Sequence, residues 1–271
     1  DLKPNPPAIA EFSTGLTMGQ SAEVMAKANG IEREPQDRLS EMSHKRAVSA
    51  WERGIYDAEV MPVAVGASYK DTVDRDNLMR ADTSFEKLSK LKPVFDRKYG
   101  TITAGNSSAL TDGASALIVM SEAKAKALGF EPLCFVRSWG FAAIDPNWQL
   151  LLGPAFACPI ALDRAGMGLG DIDLIDMHEA FAAQMLSNMK CFASDEFARE
   201  HLGRSEAVGE IDEERLNPFG GSLALGHPFA ATAGRQVLTM GHELRRRGSG
   251  TALITQCAAG GIGAALILER D

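Results

Sequence analysis

Two imidazoles and a thiol stand in glycine-punctuated surroundings in the last hundred residues of the chain. They lie in His178-Glu179-Ala180-Phe181-Ala182, in Gly226-His227-Pro228 and in Cys257-Ala258-Ala259-Gly260-Gly261. Each is expected where a β-strand meets a turn or the start of a helix. Backbone N–H groups at such places stay free to bind a developing negative charge, so the set points to chemistry at a carbonyl. Pro228 suits a first helical position and Gly226 permits an unusual backbone angle, which predicts the His227 imidazole at a helix N-terminus. There the helix dipole favours the neutral ring, which takes a proton from a thiol or donates to an enolate oxygen. The other reading is a helix-entry histidine making one structural bond.

Cys257 ends an apolar strand before two alanines and two glycines, a run that lets consecutive amides form an anion-binding nest. A thiol beside that nest is expected to have a lowered pKa and to act as nucleophile or base; the alternative is a buried cysteine in a tight hairpin. His178 follows the strand Leu174–Met177 and is expected to open a helix with Glu179, at the strand end where α/β sheets bind ligands. Asn106-Ser107-Ser108-Ala109-Leu110-Thr111-Asp112-Gly113 is by itself a polar loop, Phe95 after Lys92-Pro93 is uninformative alone, and Phe181 defaults to the core.

The 271 residues, 45% apolar and 24% charged, are those of a globular chain of one large or two ordinary domains. A formal charge of −8 without a long basic run argues against nucleic acid or an anionic membrane as the main partner, but not against one phosphorylated ligand. Cys134, Cys158, Cys191 and Cys257 form no CxxC pair; free thiols in a reducing compartment are expected, with the first three in the core. The histidines show no metal-ligand spacing, and His44, His201 and His242 read as surface residues. The chain opens in a polar, proline-rich stretch, Asp1 to Pro7, and not in a signal peptide. Its most apolar window, Thr251 to Leu268, is interrupted by Thr255, Gln256 and glycines, and reads as two buried strands around a turn.

The elements that must position these groups are legible in outline. Helices are predicted over Met18–Asn29, closed by Gly30, and over Pro35–Arg53, with an apolar stripe at Leu39, Met42, Ala47, Ala50 and Trp51. A charged surface stretch follows from Val65 to Lys92. From Thr101 the pattern becomes α/β: a buried strand Ala114–Met120, a short helix capped by Ser121 and ended by Gly129, and an extended segment Leu133–Ala143. Next come a helix Pro154–Ala165, a strand Asp173–Met177 and a long helix from Glu179 to about His201. A helix Phe229–Arg247 and strands Thr251–Cys257 and Ile262–Leu268 finish the chain. This alternation predicts a mixed or parallel sheet covered by helices on both faces.

Taken in order, Met18-Gly19-Gln20-Ser21-Ala22-Glu23, Glu34-Pro35-Gln36-Asp37, Leu91-Lys92-Pro93-Val94-Phe95-Asp96, Asn106–Gly113 and the three sites resemble the thiolase family over essentially the whole chain. The resemblance implies an α/β thiolase-like fold divided into a loop domain that binds coenzyme A (1–100), the end of the N-terminal half (101–131) and a C-terminal mixed-sheet half (132–271). His178 stands where biosynthetic acetoacetyl-CoA thiolases carry asparagine, and the insertion Cys191 to Arg215 and the segment Gly226-His227-Pro228-Phe229-Ala230-Ala231-Thr232 resemble the degradative 3-ketoacyl-CoA thiolases. Those are the β-subunits of fatty-acid oxidation, or trifunctional, complexes.

By that resemblance the chain is an acyltransferase (acetyl-CoA C-acyltransferase) that cleaves a 3-ketoacyl-CoA with coenzyme A as co-substrate, without a further cofactor or metal. His227 would activate the nucleophilic cysteine and, with His178, build the first oxyanion hole. Cys257 would exchange protons with the acetyl-CoA carbanion, and the amide of Ala259, where many relatives have glycine, would serve the second hole. Ser108 and Phe95 match positions that touch the pantetheine arm, Arg80 the nucleotide end and Phe181 the acyl end. The family's nucleophilic cysteine lies ahead of the segment matching Met18, and neither Cys134 nor Cys158 occupies its motif. The chain is therefore expected to be the C-terminal two-thirds of a thiolase, inactive alone, with 101–131 exposing a sheet edge and an apolar face. Such a piece would aggregate, dimerise through that face or stay with its N-terminal segment. Implied partners are acyl-CoA, coenzyme A, a second copy in a homodimer or homotetramer, and a hydratase/dehydrogenase subunit, in a bacterial cytoplasm or a mitochondrial matrix. The alternatives are a biosynthetic acetoacetyl-CoA thiolase and a non-catalytic coenzyme A-binding or assembly module.

Overall fold

Helix α1 (Met18–Ala28) begins where Thr17 and Gln20 close a capping box: the Gln20 Oε1 accepts from the Thr17 N–H at 2.9 Å. The computed structural model that shows this describes residues 9–271; the Asp1 to Pro7 stretch lies outside the described residues. Helix α2 (Arg33–Glu52) follows, with Pro35 in its first turn as expected. Both helices spend buried carboxylates on fixing the next segment. Glu23 of α1 accepts from the N–H groups of Thr101 (3.0 Å) and Ile102 (2.9 Å). Asp37 of α2 accepts from Arg33 at 2.7 Å and from Asn106 at 3.0 Å.

The stretch expected to lie on the surface does so except at the buried Thr83 and Leu88; an exposed hairpin of β1 (Val63–Val65) and β2 (Asp71–Val73) opens it, and the short α3 (Phe85–Leu88) follows. Helix α4 (Glu122–Leu128) has the expected ends: Ser121 caps it and Gly129 takes the left-handed conformation. The strand expected at Ala114–Met120 is absent. Those residues form no element, and Leu117, Ile118 and Val119 are exposed. A strand is completed by hydrogen bonds to a neighbouring strand, and among the described residues none pairs with this segment, which instead touches Ala231, whose carbonyl accepts from Ser115 Oγ at 2.9 Å. Its apolar side chains are left exposed on this chain, and Trp139 and Phe141 of the edge strand β3 are exposed as well.

The main sheet joins β3 (Phe135–Ala143), β4 (Leu174–Met177), β5 (Gly250–Ala258) and β6 (Ile262–Arg270) in the order β3-β6-β5-β4. Strands β4 and β5 are parallel and the other pairs antiparallel, so the sheet is mixed, as the alternation predicts. Helix α5 (Gly153–Ala165) and helix α9 (Thr232–Arg247) cover opposite faces, and the period of two along β5 sorts its residues between them. Leu253 and Cys257 join Ala157, Cys158 and Ala161 in one core cluster. Ala252 and Ile254 join Met240 and Leu244 in the other. Each large side chain so buried contributes about 1.5–3 kcal/mol.

Two predicted helices are shorter than expected. Helix α6 spans only Ala182–Phe192, followed by the short α7 (Asp195–Phe197), capped by Ser194, and a wide turn at Ala198–Leu202. Glu179 lies outside any helix because donors from three distant segments hold its carboxylate. Helix α9 starts at Thr232 and not at Phe229, because the chain makes a left-handed turn at Ala230 (φ 63°). The short α8 (Ser222–Leu225) precedes that turn. His44 is buried rather than on the surface, and its Nδ1 accepts from the Arg80 N–H at 3.2 Å. Cys158 and Cys191 are buried and Cys134 partly so, and all four thiols are free.

Candidate active site

Parallel β4 and β5 end side by side, which brings His178 and Cys257 to the same edge of the sheet. The register pairs Met177 with Thr255, and the His178 N–H donates to the Thr255 carbonyl at 2.9 Å. His227 arrives from another direction. Gly226 before it has φ 90° and ψ 177°, a region reserved for glycine, as the sequence suggested. The loop Asn106–Gly113 then ties the pieces together. Ser108 N–H donates to Ala180 O (3.0 Å), Ala182 N–H to Asn106 O (3.0 Å), and His227 N–H to Ala109 O (2.8 Å). A polar turn that carried little information alone is the clamp between the two histidine segments.

The imidazoles of His178 and His227 end with ring centroids 4.1 Å apart. They share with Cys257 a cavity of about 550 Å³, which Ala259, Ser108, Phe95 and Phe181 also line. Phe95 meets Phe181 edge to face at 6.0 Å. Arg80 does not line it. Met18, Leu151 and Phe229 supply apolar wall to which the sequence reading gave no role, and Gln256 adds an amide. Leu151 carries no sequence signal of its own, since apolar residues before a helix are common, whereas Phe229 lies in the segment 226–232 that carried part of the resemblance.

Neither imidazole stands at a helix N-terminus, contrary to expectation: α6 begins at Ala182 and α9 at Thr232. Their basicity is nevertheless depressed, for another reason. Burial lowers the His178 pKa well below the usual value, with His227 and Arg235 adding repulsion; burial and then Arg235 lower that of His227. Both rings are held neutral near pH 7. Arg235 is in turn anchored by Asp176 of β4 at 2.8 Å, and Gln236 bonds the other oxygen of Asp176 at 2.6 Å.

Cys257 corrects a second expectation. Its pKa is not lowered: burial pushes the thiol up to about 12. Desolvation outweighs what the residue's own backbone N–H gives, because the thiolate is taken out of water. A group so placed keeps its proton at neutral pH and donates it to a stronger base. The turn after it has the expected nest geometry, with Gly260 at φ 82° and Gly261 at φ 71°. An anionic group does sit on it: the Gly260 N–H donates to Glu11 Oε2 at 2.9 Å. The Ser13 N–H first of all, and that of Gly260 among others, hold the Glu11 carboxyl below its ordinary range.

Outside the cavity wall, three residues hold it in place. Glu179, fully buried, accepts from Ser43 (2.6 Å), Asn217 (2.6 Å) and the Leu223 N–H (3.0 Å). Ser222 Oγ lies 2.9 Å from His178 Nδ1, and Thr232 Oγ1 lies 2.7 Å from His227 Nδ1. No sequence signal joins Ser222 to a histidine so far back in the chain. Thr232 follows His227 closely enough to have been suspected.

Residues 4–123 match the family model of the thiolase N-terminal domain, and residues 130–270 that of the thiolase C-terminal domain. Among relatives, a 3-ketoacyl-CoA thiolase of Serratia proteamaculans is 57% identical over the whole chain. Another, of Pseudoalteromonas translucida, is 58% identical over 99% of it. Both alignments cover 62% of the relative, so the chain spans less than two thirds of the length of these proteins. Among solved structures, human mitochondrial 3-ketoacyl-CoA thiolase in complex with CoA superposes with a TM-score of 0.84 at 34% identity, over 97% of this chain and 61% of that one. Bacillus anthracis acetyl-CoA acetyltransferase gives 0.84 at 36% identity, over 97% of this chain and 62% of that one.

Proposed function

Because the chain belongs to the thiolase family, we propose that it carries two histidines and the proton-exchanging thiol of a 3-ketoacyl-CoA thiolase site. The reaction is thiolysis of a 3-ketoacyl-CoA by coenzyme A, giving acetyl-CoA and an acyl-CoA two carbons shorter. The observation that carries the reading is the convergence of His178, His227 and Cys257 on one largely apolar cavity, with the imidazoles 4.1 Å apart. In this reading the domains are a loop domain (1–100), the end of the N-terminal half (101–131) and the C-terminal half (132–271).

The chemistry follows from the protonation states. A cysteine thiolate, formed as neutral His227 takes its proton, attacks the 3-keto carbon. The C2–C3 bond breaks, leaving an acyl-cysteine and the enolate of acetyl-CoA. Cys257 gives its proton to the enolate carbon; its high pKa holds that proton until a carbanion appears. Incoming coenzyme A then passes its thiol proton to the Cys257 thiolate and attacks the acyl-cysteine; the expelled cysteine thiolate takes back the proton held by His227, which regenerates both thiols. The imidazole N–H groups of His178 and protonated His227, and the amide of Ala259, stabilise the oxyanions. Cys134, Cys158 and Cys191 do not line the cavity, so the reading takes the nucleophilic thiol from the part of the family's length that this chain does not span. The 271 residues alone are then inactive.

Ser108 and Phe95 hold the pantetheine arm and Phe181 the acyl chain in this scheme, with Arg80 reaching the nucleotide end. A homodimer or homotetramer and a hydratase/dehydrogenase subunit complete the proposal. It is tested by thiolysis of acetoacetyl-CoA and of a long-chain 3-ketoacyl-CoA with the full-length protein and its His178→Ala, His227→Ala and Cys257→Ala variants. Losses in kcat of at least about 100-fold are expected for each. Preference for acetoacetyl-CoA would favour a biosynthetic thiolase; coenzyme A binding without turnover would favour a binding module. Thiolysis by the isolated 271-residue chain at the full rate would refute the assignment of the nucleophile.

A further inference from the structure

We propose that Ser222 and Thr232 are positioning residues that fix the two facing imidazoles in opposite tautomers, His178 as a hydrogen-bond donor into the cavity and His227 as a proton acceptor. The inference rests on the thiolase reading for its use in catalysis, but its geometry stands apart from it.

Ser222 Oγ is fully buried, and its hydroxyl proton needs an acceptor. Among the described residues its one hydrogen-bond partner is His178 Nδ1, 2.9 Å away. The hydroxyl therefore donates, Nδ1 carries the lone pair, and the ring proton of neutral His178 sits on Nε2. At the other ring the same logic runs in reverse. Thr232 Oγ1 has two neighbours, the Pro228 carbonyl at 3.2 Å and His227 Nδ1 at 2.7 Å. A carbonyl only accepts, and a hydroxyl has one proton. Both contacts become hydrogen bonds only when Thr232 donates to Pro228 O and accepts from His227 Nδ1–H. The His227 proton is thus on Nδ1, and Nε2 is left with its lone pair.

Each Nε2 is without a hydrogen-bond partner among the described residues, and both rings line the cavity. One pocket so presents a donor and an acceptor on two rings whose centroids lie 4.1 Å apart. Two donors could not accept a thiol proton, and two acceptors could not hold a carbonyl oxygen. Two hydroxyls outside the cavity wall remove that ambiguity before any ligand arrives. Both hydroxyls are set by the backbone: Ser222 opens α8, where Gly221 N–H bonds Ser43 Oγ at 3.1 Å, and Thr232 opens α9 after the turn at Ala230.

The test is two-bond ¹H–¹⁵N correlation NMR of the full chain labelled with ¹⁵N-histidine, which separates protonated from unprotonated ring nitrogens. Signals are assigned by loss in His178→Gln and His227→Gln. At pH 7.5 the proton is expected on Nε2 of His178 and on Nδ1 of His227. Thr232→Val should move the His227 proton to Nε2, and Thr232→Ser should restore the parent pattern; Ser222→Ala should let His178 interconvert, and Ser222→Thr should not. The same tautomer on both rings refutes the inference, as does a pattern unmoved by Thr232→Val and Ser222→Ala. If a variant fails to fold, the parent spectrum alone decides. Opposite tautomers in a protein without thiolysis would overturn the function and leave this inference standing. Thiolysis with matched tautomers would do the reverse.

Discussion

Glu179 is the residue on which the placement of His178 turns, and its removal has a calculable cost. Its carboxylate, fully buried, is met by three donors from three segments: the Ser43 hydroxyl of α2, the Asn217 amide and the backbone N–H of Leu223 in α8. Burial raises its pKa, opposed by those same hydrogen bonds. Glu179→Ala strands the Ser43 hydroxyl, the Leu223 N–H and one Asn217 amide proton, while the other Asn217 amide proton keeps the Met177 carbonyl at 2.9 Å. At about 1–3 kcal/mol for each buried group so stranded, the loss is on the order of 3–6 kcal/mol, allowing for a water that enters the space. For a chain of this size that is a fall in melting temperature on the order of 10 °C. Glu179→Gln keeps one acceptor oxygen but turns an amide N–H₂ towards donors, so about 1–3 kcal/mol should be lost. The assay is thermal unfolding followed by near-UV circular dichroism, with coenzyme A affinity measured by calorimetry on folded samples. Affinity should drop more than for a surface control, because α8 carries Ser222 against His178. A Glu179→Ala protein melting within about 2 °C of its parent would show that the buried donors are satisfied without the carboxylate.

Glu59 offers a test with a defined pH window. Burial raises its pKa to about 7, against the Thr239 hydrogen bond and the charges of Arg235 and Arg246 that lower it. A carboxyl whose folded pKa lies above its unfolded value of 4.5 contributes stability below that value and loses it as pH rises through about 7. Glu59→Gln, which keeps an oxygen for Thr239, should match the parent near pH 4.5 and exceed it by up to roughly 2–3 kcal/mol at pH 8 in urea unfolding. A constant difference across that range would contradict the assigned shift. Cys257, with its thiol near 12, should be alkylated by iodoacetamide slowly at pH 7.5, with a rate rising about tenfold per pH unit up to pH 10. A plateau below pH 9, read by peptide mass spectrometry, would mean a thiol of ordinary acidity.

Much of this architecture was legible before any coordinates, and for local reasons. Ser121, Gly129 and Pro35 punctuate helices through their own backbone preferences, and the apolar window Thr251 to Leu268 marks its two strands by itself. Composition and order alone brought out His178, His227 and Cys257, because glycine and proline beside a reactive side chain are visible at short range.

What the chain could not announce locally is what distant segments do to one another. Ala114–Met120 has every mark of a strand and is none, since a strand needs a partner and the described chain offers it none. Glu179 looks like a helix start, but its carboxylate is claimed by α2 and α8, and the helix waits until Ala182. Cys257 reads as an acidic thiol beside a nest, yet burial, a property of the whole fold, reverses the direction of its shift. Sequence therefore set the residue types, the local geometry of the turns and the periodicity of the sheet. Tertiary packing alone set the dielectric around each group, the 4.1 Å between the imidazoles and the hydroxyl each one meets, because all three depend on atoms brought together from far apart along the chain.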